Sequence, residues 1–266
     1  MKAGQLITDN ATLRARFHEL AAGDLVLGRV RLKPAEEHLL LDLTTRGVHC
    51  VPSALSQLAS RSKALQARLF GGWMLPHTRV VYDLHELLES INLYNQHQVT
   101  RVVTKHDRRN AGLGLHLWAS VEEVYTQASL QVLPFPFVLQ PFCPDSYDLR
   151  VIILGEYLET YRRYNPHNFR HNLHCGGKSE AWELGAAQLA LCRAVMARGR
   201  FPYAHLDLMV TGEGETYLAE INLRGGIRGA RITPREYQAR VEAVHQQLLA
   251  AWREGRNPAA GTGEGT

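Results

Sequence analysis

Cysteine is scarce in this chain of 266 residues: Cys50, Cys143, Cys175 and Cys192 stand apart, and no C-x-x-C pair occurs. That excludes a disulfide-stapled scaffold and a dithiol redox centre, and predicts a reduced, cytoplasmic setting. Long apolar runs are missing as well. The stretch MKAGQLITDNATLRARFHEL holds none long enough for a signal peptide or a membrane span, so no membrane partner is expected. Charge of one sign is not gathered into a tail or an arm, and 30 Lys and Arg against 26 Asp and Glu leave a net charge of only +4. This suits an anionic ligand but is too weak an excess to argue for nucleic acid. Neither G-x-x-x-x-G-K-[ST] nor G-x-G-x-x-G occurs, so a phosphate loop of the P-loop kind and a dinucleotide-binding turn are both absent.

What is present is ordinary globular material, 45% hydrophobic and 21% charged, enough for one large or two small domains. In the first fifty residues the apolar runs DLVLGRVRL and HLLLDL alternate with a helix-like NATLRARFHEL, which suggests a small α/β unit. A single helix is predicted from Ser53 to about Leu69, with Leu55, Leu58, Leu65 and Leu69 at helical spacing. DLHELLESINLYNQ reads as another helix, SEAWELGAAQLALCRAVMARG as a long amphipathic one ending at Gly199. DLRVIILGEYLETYRRY reads as strands turning at Gly155, and AHLDLMV and TYLAEIN as a hairpin across TGEGE. A last helix starts at a capping box of Thr233, Pro234 and Glu236, with Tyr237, Val241, Val244, Leu248 and Trp252 as its buried stripe. Mixed elements with antiparallel strands argue for an α+β fold.

Four constellations carry chemistry. In VVTKHDRRNAGLG, Lys105 ends a strand and Gly112 and Gly114 follow, a loop able to fold over phosphate oxygens or to remain a solvated hairpin. Asp207 in AHLDLMV with Glu220 and Asn222 in LAEIN offers two carboxylates and an amide oxygen, hard donors suited to Mg²⁺. Strand alternation puts Glu220 and Asn222 on one face. The segment YRRYNPHNFRHNLHCGG clusters His167, His171, His174 and Cys175, yet it lacks a second anchored ligand pair, and Arg162, Arg163 and Arg170 would repel a zinc ion. An anion site is the more coherent reading there. In NLRGGIRGARI, Arg224, Arg228 and Arg231 can grip a carboxylate or phosphate, or form a basic turn.

In this order, from about Ser60 to Gly229, the constellations resemble the ATP-grasp superfamily, and within it the RimK-type carboxylate–amine ligases. SRSKALQARLFGGWMLPHT looks like the family's lysine-bearing helix, VLQPFC its adenine hinge and DLRVIILG its Asp-x-Arg strand. RRYNPHNFRHNLHCGG is similar to its phosphate-covering loop, and HLDLMV with YLAEINLRGG to its metal-binding strands. The resemblance implies an ATP-grasp fold of two α+β subdomains gripping ATP, behind a shortened N-terminal α/β domain of residues 1–60. The grasp itself would span 61–255, with a lid at about 76–140 and a C-terminal subdomain at about 141–255, and a disordered tail at 256–266.

The implied activity is an ATP- and Mg²⁺-dependent (or Mn²⁺-dependent) ligation through an acyl phosphate, with two metal ions expected. The alternative is an inactive ATP-binding regulatory or assembly protein of the same fold. Lys63 and Lys105 would touch the phosphates, with Gly112 and Gly114 in the loop over them, and Gln140, Pro141 and Phe142 would border adenine. Asp148 would lie near the ribose, and Arg170, His171 and Asn172 along the triphosphate. Asp207, Glu220 and Asn222 would hold the metal, Arg150, Arg163 and Arg170 would act in catalysis, and Arg224 and Arg228 would face substrate. Pro141 stands where the hinge usually has a glutamate, and Arg224-Gly225-Gly226 replaces the usual ser-pro-gly, so glutamate is not carried over as substrate. Partners are a small-molecule or peptide carboxylate and an amine, with no nucleic acid and no membrane, and homo-oligomerisation is left open by the sequence.

Overall fold

The computed structural model describes residues 4–109 and 114–256, so Gly112 and nearly all of the expected disordered tail lie outside the described residues. The chain begins with β1 (Leu6–Ile7), α1 (Asn10–Ala15), β2 (Leu25–Leu27), α2 (His38–Thr45) and β3 (His49–Val51), whose strands pair in parallel in the order β1-β2-β3. HLLLDL is therefore helix and not strand. Leu40 and Leu43 are buried at a spacing of three while Leu41 is 66% exposed, which is a helical and not an alternating pattern.

The helix predicted from Ser53 to Leu69 is two helices, α3 (Ala54–Ala59) and α4 (Lys63–Phe70). Each starts at its own serine: Ser53 Oγ accepts from the Ser56 amide, and Ser62 Oγ from the Leu65 amide. The second cap interrupts the first helix and sets Lys63 at the start of a new one. The residues buried in the two helices are Ser56, Gln57 and Ala59, then Ala64, Gln66 and Phe70, and not the expected leucines.

A second unit follows, with β4 (Arg79–Val81), α5 (Leu84–Gln96), β5 (Val102–His106), β6 (Leu115–Trp118), α6 (Val121–Ser129) and β7 (Phe137–Pro141). Its antiparallel sheet has the order β4-β7-β5-β6. Val81, Val102, Phe137 and Leu139 form a core with Leu87, Tyr94 and Val124 of the helices.

The third unit holds the largest core. It consists of β8 (Tyr147–Leu154), β9 (Tyr157–Tyr164), β10 (Lys178–Ala181), α7 (Ala186–Gly199), β11 (Tyr203–Val210), β12 (Thr216–Asn222) and α8 (Pro234–Arg253). The sheet is antiparallel in the order β10-β9-β8-β11-β12. The turn at Gly155 has φ +61°. The long helix expected from Ser179 starts only at Ala186, because Lys178–Ala181 pairs with β9 as an edge strand and Gly185 then caps the helix. The capping box of α8 forms as predicted, and its inward side chains are Val241, Val244 and Leu249, with Tyr237, Leu248 and Trp252 partly buried. Leu249 joins Leu25, Leu27 and Val51, which fastens α8 to the N-terminal sheet.

Candidate functional site

The register of the third sheet lays out the site. Tyr161 pairs with Arg150, Arg150 with Asp207, and Asp207 with Glu220, so four strands contribute one row of polar side chains. A neighbouring row brings Arg163 opposite Asp148. On β12 a bulge between Asp207 and Leu208 of its partner inserts Ala219, so Leu218 and Ile221 are both buried while Glu220 faces the other way with Asn222.

Helix α4 is clipped to the free edge of β12. Gln66 Nε2 donates to the Ile221 carbonyl at 2.9 Å and Gln66 Oε1 accepts from the Ile221 amide at 3.0 Å, as a neighbouring strand would. Ser60 Oγ accepts from the Leu223 amide at 3.0 Å. The clip puts Lys63 Nζ 3.4 Å from Glu220 Oε1. From the second unit, Asp107 Oδ1 accepts from Ser62 Oγ at 2.9 Å and from the Ala64 amide at 3.1 Å, tying the β5–β6 hairpin to the start of α4.

Between the two larger sheets lies a cavity of about 230 Å³. Its apolar lining is Val103, Leu115, Phe142, Phe169 and Met209, with Phe142 and Phe169 edge to face at 6.1 Å. Its charged lining sets Lys63, Lys105, Arg109, Arg150, Arg163 and Arg170 against Asp148, Asp207 and Glu220. Six cations against three carboxylates leave a positive field for an anion.

Asp207 is the hub of these charges. Arg150 donates to both its oxygens, through Nε to Oδ1 and through NH2 to Oδ2 at 3.0 Å, and Arg163 NH2 lies 3.1 Å from Oδ1. Burial alone would raise its pKa, but the two guanidiniums outweigh that and bring it to about 2. Arg163 also donates to Asp148 Oδ2 at 3.3 Å; burial still pushes that carboxyl up, against the pull of Arg163. Lys105 Nζ approaches the Ala219 carbonyl at 3.5 Å, and burial, with Lys63 nearby, lowers its pKa against the opposing pull of Glu220. Behind the row, burial and Arg150 press His205 down to about 3, so it is neutral, with Nε2 3.0 Å from Tyr237 Oη.

A second cavity, of about 840 Å³, adjoins the first, sharing Arg150, Arg163, Asn172 and Glu220 with it. Gly225 forms part of its wall; a Cβ there would stand 2.5 Å from Arg150 NH1 and 2.7 Å from His205 Nδ1, so only glycine lets the backbone approach. The 224–232 loop is held by buried Glu159, whose Oε1 and Oε2 accept from the amides of Arg231 at 2.5 Å and Ile232 at 3.2 Å.

No protein-family model matches the chain, and no curated protein matches it either. Solved structures do. A RiPP-associated ATP-grasp ligase from Chryseobacterium gregarium, in complex with ADP and a leader and core peptide, superimposes with a TM-score of 0.57 at 16% identity, over 80% of this chain and 67% of that one. The D-cycloserine synthetase DcsG gives 0.60 at 14% identity, over 91% and 99% of the two chains. D-alanine–D-alanine ligase from Bacillus anthracis gives 0.60 at 15%, over 93% and 86%. The fold is ATP-grasp.

The ATP-grasp cleft brings together Lys63, Lys105, Gly114, Gln140, Pro141, Phe142, Asp148, Arg150, Arg163, Arg170, His171, Asn172, Asp207 and Glu220 around the first cavity. Asn222, Arg224 and Arg228 line the second instead. Arg150 and Arg163, expected to act in catalysis, are held by Asp207 and Asp148. Arg170 stacks on Phe169 at 4.3 Å and donates to the Leu115 carbonyl, bridging the loop to the second unit. Buried Asn172 Oδ1 and His171 Nδ1 have no partner among the described residues. Asp207 and Glu220 on paired strands, with the unpartnered Asn172 oxygen in the lining of the same cavity, are hard-oxygen donors of the kind Mg²⁺ takes; Asn222 lines the adjoining cavity. Glu220 receives only Lys63, and Asp207 Oδ2 receives one hydrogen bond, so both keep free lone pairs and the residues fit the ion. Sequence reasoning missed Gln66, Asp107, Arg61 and Arg29. Ser62 before Lys63 was a readable second cap, but nothing local marked the others.

Proposed function

We propose that the chain is an ATP- and Mg²⁺-dependent ligase joining a carboxylate to an amine through an acyl phosphate. The observation that carries this reading is the lining of the cleft, which joins apolar and aromatic side chains to six cations and adjoins a second cavity through Arg150, Arg163, Asn172 and Glu220. A purine suits the apolar side chains and a polyphosphate the cations. The ligase and ADP-bound neighbours support the same assignment. Residues 61–255 would form the grasp and residues 1–60 a short preceding domain.

Lys63 and Lys105 neutralise the phosphates, and Arg170 with the 169–172 loop covers them. Asp207, Glu220 and Asn222 would hold Mg²⁺, which when bound supplies positive charge that offsets the developing charge on the transferred phosphoryl group. A carboxylate approaching a phosphate from the second cavity meets repulsion of roughly 4 kcal/mol per charge pair at 4 Å and an effective dielectric of 20. Arg150 and Arg163 face both cavities and lower that repulsion. The carboxylate oxygen attacks the γ-phosphorus and ADP leaves; an amine then attacks the acyl carbon and inorganic phosphate leaves. The protein's task is to orient the two anions and shield the mixed anhydride from water.

The test is ADP release that depends jointly on Mg²⁺, a carboxylate and an amine, with hydroxylamine trapping the activated acid as a hydroxamate. Nucleotide-induced thermal stabilisation without any hydroxamate would favour the regulatory reading instead.

A further inference from the structure

Among the described residues, seven arginines but a single carboxylate, Glu220, line the second cavity. Three of the seven are compensated: Arg150 and Arg163 by Asp207 and Asp148, and Arg108 by Glu37 and Asp107. Arg29, Arg61, Arg224 and Arg228 form no ion pair among the described residues, and Glu220 is paired with Lys63. They come from three separate segments, the turn after β2, the break between α3 and α4, and the loop after β12, so the fold converges like charges on one space. Arg61 NH2 donates to the Leu32 carbonyl at 3.0 Å while its buried Nε has no partner. Arg163 is 5% exposed and its Nε is also unpartnered. Tyr161 Oη donates to the Arg228 carbonyl at 3.2 Å, and Glu159 pins the far end of that loop, so Arg224 and Arg228 sit on an anchored strap.

A reacting carboxylate brings one negative charge, which four unpaired guanidiniums exceed. Resting on the ligase reading above, we infer that the carboxylate substrate is a small polyanion. Beside the reacting carboxylate it carries at least two further negative charges, as one phosphate or two more carboxylates, held by Arg29, Arg61, Arg224 and Arg228. The guanidinium fork accepts either oxyanion bidentately. The volume of about 840 Å³ falls in the range of roughly 300–1,000 Å³ that small-molecule sites occupy.

Titration calorimetry on the full chain loaded with MgADP tests this with two matched pairs, phosphoglycolate against glycolate and citrate against acetate. At least one polyanion should bind roughly tenfold or more tighter than its monoanionic mate, as expected for one added charged hydrogen-bonded pair. Which pair shows the gap tells phosphate from carboxylate. The double variant Arg224→Gln with Arg228→Gln should remove the gap; both side chains are exposed, so the core is untouched, and thermal unfolding confirms that. Equal affinities within both pairs, or a gap that survives the double variant, would overturn the inference. Tighter binding of a polyglutamate peptide than of either small acid would overturn it in favour of an acidic polypeptide. Failure of MgADP itself to raise the melting temperature would strike the ligase reading, whereas MgADP binding without polyanion preference strikes this inference alone.

Discussion

Glu220 is the least encumbered carboxylate of the site: it faces both cavities and receives only the long Lys63 contact. Glu220→Gln keeps the shape and removes the charge, so Mg²⁺-dependent ADP release should fall by roughly a hundredfold or more while the melting temperature stays close to that of the wild type. Unaltered turnover would remove Glu220 from the metal set. The proposed function puts Lys105 on the nucleotide rather than on the acid. Lys105→Ala should raise the KM for ATP by roughly ten- to a hundredfold, the loss expected for a charged hydrogen bond, with a smaller effect on the KM for the carboxylate. A rise confined to the carboxylate would move Lys105 to the other cavity. At this scale the residues that bear charge were legible, because VVTKH, DLR, FRHN and AEIN each put a recognisable group in a local pattern. Gln66 and Asp107 were not, because a neutral amide or an isolated aspartate acquires meaning only from its partner.

Whole elements follow their caps and neighbours. The predicted helix over 53–69 breaks because Ser62 caps a second one, and the break frees Ser60 and Arg61 to meet β12 and the second cavity. HLLLDL turned out to be helix because three leucines in a row fit either element, and only burial of Leu40 and Leu43 decides. KSEA became an edge strand because β9 offers a free edge, a tertiary circumstance that outweighs helix propensity. The contact of α4 with β12 has its own consequence. Gln66→Leu leaves the Ile221 amide and carbonyl without partners at a buried edge, which should cost about 2–4 kcal/mol in urea unfolding. Since the same contact holds Lys63 near Glu220, the variant's ATP affinity should fall as well. Loss of stability with wild-type ATP affinity would separate the clip from the site.

At the scale of the whole molecule, three units meet at one cleft, and the cleft makes the fold sensitive to acid. His205 has its pKa depressed from 6.5 to about 3, so the stability it contributes is complete above pH 6.5 and is lost as pH falls toward 3. Asp207 is depressed from 3.8 to about 2, so its contribution goes next, between those values. Asp148, whose pKa burial raises above 3.8, runs the other way and offsets part of the first loss. Urea unfolding followed from pH 8 to pH 3 should therefore show stability declining from about pH 6.5 downward. In His205→Gln that first decline should flatten; an unchanged slope would show that other groups govern it. Among the described residues no helix is long and apolar enough to cross a membrane.

Read by itself, the chain determined which chemistry is available: two lysines, a set of arginines, two acidic strands and glycine-rich turns, in an order that resembles ATP-grasp ligases. These are local properties, set by side-chain type and by periodicities of two and 3.6 residues. Tertiary structure alone decided what each group meets. Arg150 and Asp207 are 57 positions apart and become partners only through strand register. The arginines at 29, 61, 224 and 228 share a cavity only because three segments converge there. Strand register and segment convergence follow from packing of the buried faces, so the electrostatics of the cleft are a consequence of the core and not of any short stretch of sequence.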